Sequence, residues 1–169
     1  VSSSAKGKHP RIIGPAPEAT SRLFVLAYVR YFQRVCLLKA ELFERDMDLM
    51  IITGVIGLAG IEHKIRDPDF RLRFASIDVV LGLDGQRGTN AMSIAAATGL
   101  PRETVRRKIK RLIEMGVVAR RDSGDYVLQP GALQSAPFVR AIFEIFEQTV
   151  RMINECIENE IFAVLPPDD

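Results

Sequence analysis

The sequence predicts a mainly α-helical chain carrying one small β-hairpin, on three observations. Apolar residues recur at helical spacing over long stretches on both sides of the middle of the chain. The stretch Thr89 to Leu128, TNAMSIAAATGLPRETVRRKIKRLIEMGVVARRDSGDYVL, reads as helix, tight turn, basic helix and short hairpin. Positive charge is concentrated on the last two of these.

A chain of 169 residues fits one domain, or a small domain with helical additions, and can bury a core without disulfide staples. Cys36 and Cys156 lie far apart in helix-like segments. They read as small apolar residues rather than a disulfide framework or zinc knuckle, which points to a reducing, cytoplasmic setting. The longest uncharged apolar run, Leu49 to Ile61, falls short of the roughly 20 residues that cross a bilayer, so no membrane partner is expected. Lys6 and Lys8 are followed by no apolar core or cleavage pattern, which argues against a secretory signal. The net charge of +2 alone says little about partners. Its distribution says more: Pro101 to Arg121 carries eight bases against two acids, whereas Gln134 to Asp169 carries two bases against seven acids. Such a local excess suits contact with phosphate.

In chain order, residues 1–19 are rich in Ser, Gly, Pro and Lys and lack an apolar period. They read as a disordered arm whose Lys6, Lys8 and Arg11 either keep it solvated, the preferred reading, or brush a nucleic acid. Thr20 or Ser21 can cap a long helix to about Phe43. Its apolar residues, among them Val25, Leu26, Phe32 and Leu37, spread beyond one stripe, so it needs burial on more than one side. A second helix, from about Asp46 to Lys64, has Asp46 and Asp48 at the positive end of its dipole. Its Gly54, Gly57 and Gly60 lack the strand and spacing of a dinucleotide loop. Each glycine costs a helix about 1 kcal/mol relative to alanine. They therefore mark close packing, the preferred reading, or a gap for a ligand. We take residues 20–65 as an N-terminal helical, dimerising region. Pro68 breaks the chain, and the spacing of Phe70, Phe74, Ile77, Val80 and Leu81 predicts a helix to Leu83, the first of a domain spanning 66–131.

In the central stretch Asn90 can cap a helix over 91–98, Gly99 can end it in a left-handed conformation, and Leu100 can plug the angle. Pro101 suits the first turn of the next helix. There Val105, Ile109, Leu112 and Ile113 face inward, leaving Arg102, Glu103, Thr104, Arg106, Arg107 and Lys110 outside. A merely solvated face would interleave acids at i, i+4, and Glu103 with Arg107 is the clearest such pair; the remaining bases need another partner. Gly116 stops the helix, and residues 117–128 form a hairpin with Arg120 and Arg121 near its tip. Beyond Pro130 and Gly131, Ser135 can cap a final helix with Phe138, Ile142, Ile145, Phe146, Ile153, Cys156 and Ile157 on a broad apolar face. Residues 132–169 thus form a dimerisation helix and tail, a reading preferred to an intrachain core helix.

IAAATGLPRETVRRKIKRLIEMGVVARR, a short turn and YVL resemble the winged helix-turn-helix of bacterial transcriptional regulators. In that motif an A-x-x-x-G-L turn precedes a T-V-R-R helix and a G-hydrophobic-V-x-R wing. Long helices on both sides of the motif resemble the MarR-like arrangement, in which N- and C-terminal helices form a dimer. The resemblance implies a second helix, 101–115, in the major groove and a wing, 117–128, on the backbone or minor groove. It makes Arg102, Thr104, Arg106, Arg107 and Lys110 groove and phosphate candidates and assigns Arg120 and Arg121 to the wing. Arginine reads guanine bidentately, so Arg102 and Arg106 are the first candidates for base contact and Lys110 for phosphate.

The expected function is therefore a homodimeric, sequence-specific, double-stranded-DNA-binding transcriptional regulator. A small-molecule effector could sit between the glycine-bearing helix and the dimer helices. The alternative is a winged-helix module for protein or RNA contact. An enzyme is not expected, and no cofactor or metal is called for: His9 and His63 have no visible nucleophile partner, and no H-E-x-x-H, cysteine-pair or phosphate-loop spacing occurs.

Overall fold

The computed structural model describes residues 10–166, so Lys6, Lys8 and His9 of the expected arm lie outside the described residues. In order the elements are β1 (Arg11–Ile13), α1 (Pro17–Leu42), α2 (Met47–Ile61), α3 (Pro68–Arg73), α4 (Ala91–Thr98), α5 (Arg102–Glu114), β2 (Val118–Arg120), β3 (Tyr126–Leu128), α6 (Ala136–Glu158) and β4 (Ala163–Leu165). The chain is mainly helical with a small antiparallel hairpin, the architecture of a winged helix-turn-helix. It divides into two compact units, one of residues 38–142 and one of residues 1–37 with 143–169.

In the 38–142 unit α2 lies at the centre, packed on several sides, with Met47, Ile51 and Leu58 left exposed on the remaining one. Leu49, Ile52 and Ile56 are essentially inaccessible, and the helix packs against α4, α5 and β3. Asp46 caps it, its Oδ1 accepting from the Asp48 and Leu49 amides at 3.1 and 3.3 Å. Ile94 from α4, Val105, Ile109 and Leu112 from α5, and Val117 and Val118 complete the core with Phe43. Phe138 stands edge-on to Phe43 at 5.7 Å between ring centroids.

Two expectations fail here. The boundary between residues 65 and 66 does not divide the structure: α2 belongs with the winged unit and occupies the place expected for a helix over 70–83. That helix stops at Arg73. Asp67 and Pro68 start α3 well, but the Ser76 hydroxyl accepts from the Asp78 amide at 3.2 Å, a local turn that competes with helical bonding. The β-branched Ile77, Val79 and Val80 add little helical preference.

The glycines of α2 divide between the two readings. A Cβ on Gly57 would meet Leu128 Cδ1 at 3.2 Å and one on Gly60 would meet Gln86 Oε1 at 3.4 Å, whereas one on Gly54 would meet nothing. Close approach thus accounts for Gly57 and Gly60, and Gly57 also lines a cavity.

In the other unit the arm is structured from Arg11. The β1 strand pairs antiparallel with β4, with Ile12 opposite Val164. Pro17 is the first residue of α1, where a proline has no helical amide bond to lose. The hydroxyls of Thr20 and Ser21 turn back to the Ala16 and Glu18 carbonyls instead of capping. Ser135 likewise donates to the Ala132 carbonyl. Ala27, Cys156 and Ile161 form a small buried cluster with Met152 and Phe162 against it. Both cysteines are free thiols. Phe24, Tyr28 and Phe32 stack along α1 at four-residue spacing. No helix among the described residues is long and apolar enough to cross a membrane.

Candidate nucleic-acid interface

The geometry of the central stretch is fixed by short-range signals. Asn90 Oδ1 accepts from the Met92 and Ser93 amides at 3.0 and 2.9 Å, capping α4. Gly99 turns the chain with φ 73°, a region costly for a residue with a Cβ. Pro101, at φ −58° and ψ 140°, is the residue from which α5 departs, and its carbonyl accepts from the Val105 amide at 3.0 Å. Leu100 packs against the core.

On α5 the inward face is Val105, Ile109 and Leu112, all buried. Ile113, expected inside, is 39% exposed, because it lies one step around the helix from Leu112. Arg102, Arg106, Arg107 and Lys110 are exposed and Thr104 is half-buried. The expected Glu103–Arg107 pair is replaced by Glu103 with Arg106 at 2.7 Å. An exposed pair of this kind is worth about 0.5 kcal/mol, so it yields readily to a phosphate.

The other two bases of α5 are engaged within the protein. Lys108 pairs with Asp46, and Arg111 with Glu44 and Glu114. These contacts anchor α5 to the turn after α1, where Glu44 and Arg45 adopt φ values of 53° and 61°, a conformation that strains non-glycine residues. The hydrogen bond from Arg111 holds the Glu44 carboxyl below its ordinary range, and that from Lys108 does the same for Asp46. The acids of this corner satisfy one flank of α5. Among the described residues Arg102, Arg107 and Lys110 have no ion pair, and by helical spacing they and Arg106 form one outward basic surface.

The wing pairs Val118 with Leu128 and Arg120 with Tyr126. Thr89 extends it by exchanging amide bonds with Tyr126 at 3.0 and 2.7 Å. Arg120 is exposed and has no ion pair among the described residues. Arg121 corrects the expectation of two free wing arginines. Its guanidinium pairs with Asp125, Nε lying 3.0 Å from Oδ1, and donates to the Gln86 carbonyl at 3.1 Å. These bonds raise the Arg121 guanidinium above its already high ordinary value and hold the Asp125 carboxyl far below its own, with a second hydrogen bond from Ser123. Arg121 is a strut of the wing.

Gln86, which no sequence pattern singles out, completes that strut. It is 7% exposed; its amide donates to the Leu128 carbonyl at 2.9 Å and its Oε1 accepts from the Leu128 amide at 3.1 Å. Gly88 lies against the same strut, where a Cβ would collide with the Asp125 carboxylate. Arg66 and Arg87, also unassigned, border an open depression with Asn90 and Ser93 at the start of α4.

Residues 89–127 match a family model described as RP-C, replication protein C N-terminal domain. The match spans α4, α5 and the wing up to Val127. Neither a comparison with curated proteins nor one with solved structures gave a match. Together with the geometry, the family match supports a winged-helix DNA-binding module in this part of the chain.

Proposed function

We propose that the chain is a sequence-specific double-stranded-DNA-binding protein that acts as a homodimer in the cytoplasm and regulates transcription at the site it occupies. It is a binding protein rather than an enzyme. The observation that carries this is the outward face of α5, where Arg102, Arg106, Arg107 and Lys110 stand exposed while Lys108 and Arg111 are neutralised by the protein's own acids. Exposed bases in excess of the helix's own acids are what a groove-entering helix presents to DNA. In this reading Arg102 and Arg106 read bases, Lys110 and Arg107 hold phosphates, and Arg120 reaches the backbone from the wing. Arg121 contributes by positioning the wing. The MarR-like placement of the motif between long helices supports dimerisation, as do the exposed apolar residues of α1 and α6, including Leu26 and Phe146. Two copies would then meet half-sites about one DNA turn apart.

The match to a replication protein domain favours a second reading, in which the same duplex binding serves replication. Selection of bound fragments from genomic DNA separates the two: fragments from promoters support regulation, and fragments confined to a replication origin support replication. Arg106→Ala with Arg107→Ala is expected to weaken binding about tenfold to a hundredfold and to flatten its salt dependence. Full DNA binding by that double variant would remove α5 as the recognition helix. A stable protein or RNA complex with no selected duplex would instead favour a module for those partners.

A further inference from the structure

Behind the wing, within the 38–142 unit, lies a cavity of about 740 Å³, inside the range of small-molecule sites. Its wall is built from Ile61 of α2, Phe70 of α3, Phe74, Ile77, Leu128 of β3 and Ile142. Ile65 and Val79, at its margin, remain 50% and 40% exposed. The wall holds one cation, Arg71, and no carboxylate; Arg71 has no ion pair among the described residues. Gln86 and Gln134 already donate to the Leu128, Leu81 and Ile77 carbonyls. The cavity therefore offers an apolar body of space and one unmatched positive charge.

We propose that this cavity binds an apolar monocarboxylic acid of medium chain length, its carboxylate on Arg71, and that occupancy resets the wing. The coupling follows from shared atoms. Leu128 is both cavity wall and wing strand, and Gln86 grips its backbone from inside the wall. Arg121 ties the wing's turn to the Gln86 carbonyl. An acid packed against the Leu128 side chain bears on the strand whose backbone Gln86 holds. This regulatory half rests on the proposed DNA-binding function; the binding half does not.

The test titrates the full chain with sodium decanoate by calorimetry, with decanol and decylammonium as controls. Decanoate is expected to bind at one per chain with Kd on the order of 10 µM, and decylammonium at least about tenfold more weakly. Arg71→Gln, at an exposed residue with no internal partner, is expected to weaken decanoate about tenfold and leave decanol unchanged. Ala75→Phe, in the wall, is expected to exclude both, its fold checked by the urea midpoint. Saturating decanoate is expected to change the affinity for a selected duplex by about fivefold or more.

Binding weaker than about 1 mM, or binding unaffected by both substitutions, overturns the site. A dimer that Ala75→Phe converts to monomer identifies a second copy as the occupant and overturns it too. Duplex binding that ignores bound decanoate overturns the regulation alone. Decanoate binding as stated by a chain that binds no duplex removes the DNA reading and leaves the cavity assignment standing.

Discussion

The two units of the chain differ in how much of their apolar surface they bury. The 38–142 unit closes a continuous core from Phe43 through α2, α4 and α5 to Val118. The unit built on α1 and the end of α6 buries only Ala27, Cys156 and Ile161 as a cluster. Outside that cluster Leu26 is 55%, Leu37 58% and Phe146 66% exposed. Helices that are apolar on several sides require burial on several sides. The first unit closes a core while leaving Leu58, Leu72 and Met92 exposed, whereas the second, with little core of its own, presents surface suited to another copy of the chain.

The comparison is broken or sharpened most strongly by removing apolar bulk from each unit in turn. Leu112 is fully buried on α5, and Leu112→Ala is expected to cost about 2–5 kcal/mol. It should appear as a lower urea midpoint at unchanged slope. Phe146→Ser deletes more carbon but should change the stability of the isolated chain by only about 0.5 kcal/mol. Its expected effect is on self-association, weakened about thirtyfold in sedimentation, the size of an interface hot spot near 2 kcal/mol. Equal destabilisation by both substitutions, with no change in sedimentation, would erase the distinction between the units.

The same contrast explains what could be read in advance. Asn90, Gly99 and Pro101 act through their own backbone neighbours, so the α4–turn–α5 geometry was legible residue by residue. Val105, Ile109 and Leu112 declared an inward face because the helix is polar elsewhere. α2 gave no such declaration: apolar on every side, it showed burial but not against what, and it was assigned to the wrong unit. The β1–β4 pairing joins residues from opposite ends of the chain, which no local pattern encodes. Arg121 stands near the wing tip as expected, but its engagement was not legible, because an arginine beside a turn reads as exposed unless its acceptors are known. Two of them, the Gln86 and Leu83 carbonyls, come from a loop far back in sequence. Its acid partner, Asp125, was visible four residues on.

The smallest expected effect is confined to the rim of the winged unit and depends on pH. Asp125 is held well below the usual carboxylate range first by the Arg121 hydrogen bond, then by Ser123, against a smaller opposing effect of desolvation. Because its folded value is depressed, the stabilisation it gives is fully present above the unfolded value of about 3.9. That stabilisation is lost progressively as pH falls below this toward the folded value. The resistance of the wing to local opening should therefore be constant from pH 8 to about 5 and fall below about 4, with the folded wing keeping its bonds until pH nears the depressed Asp125 value, while Ile52 and Ile56 in the core stay protected. Hydrogen exchange at the Leu128 amide and the Gln86 side chain should report this directly. Asp125→Asn should show the loosened wing already at neutral pH and remove the acid-dependent change. Glu44 and Asp46 are depressed by their own partners, Arg111 and Lys108, so acid also acts at the α1–α2 corner, and the readout must come from the wing itself. Leu128 and Gln86 resonances and amide protection that are the same in Asp125→Asn as in the wild type at neutral pH would show that the Arg121–Asp125 strut does not position the wing.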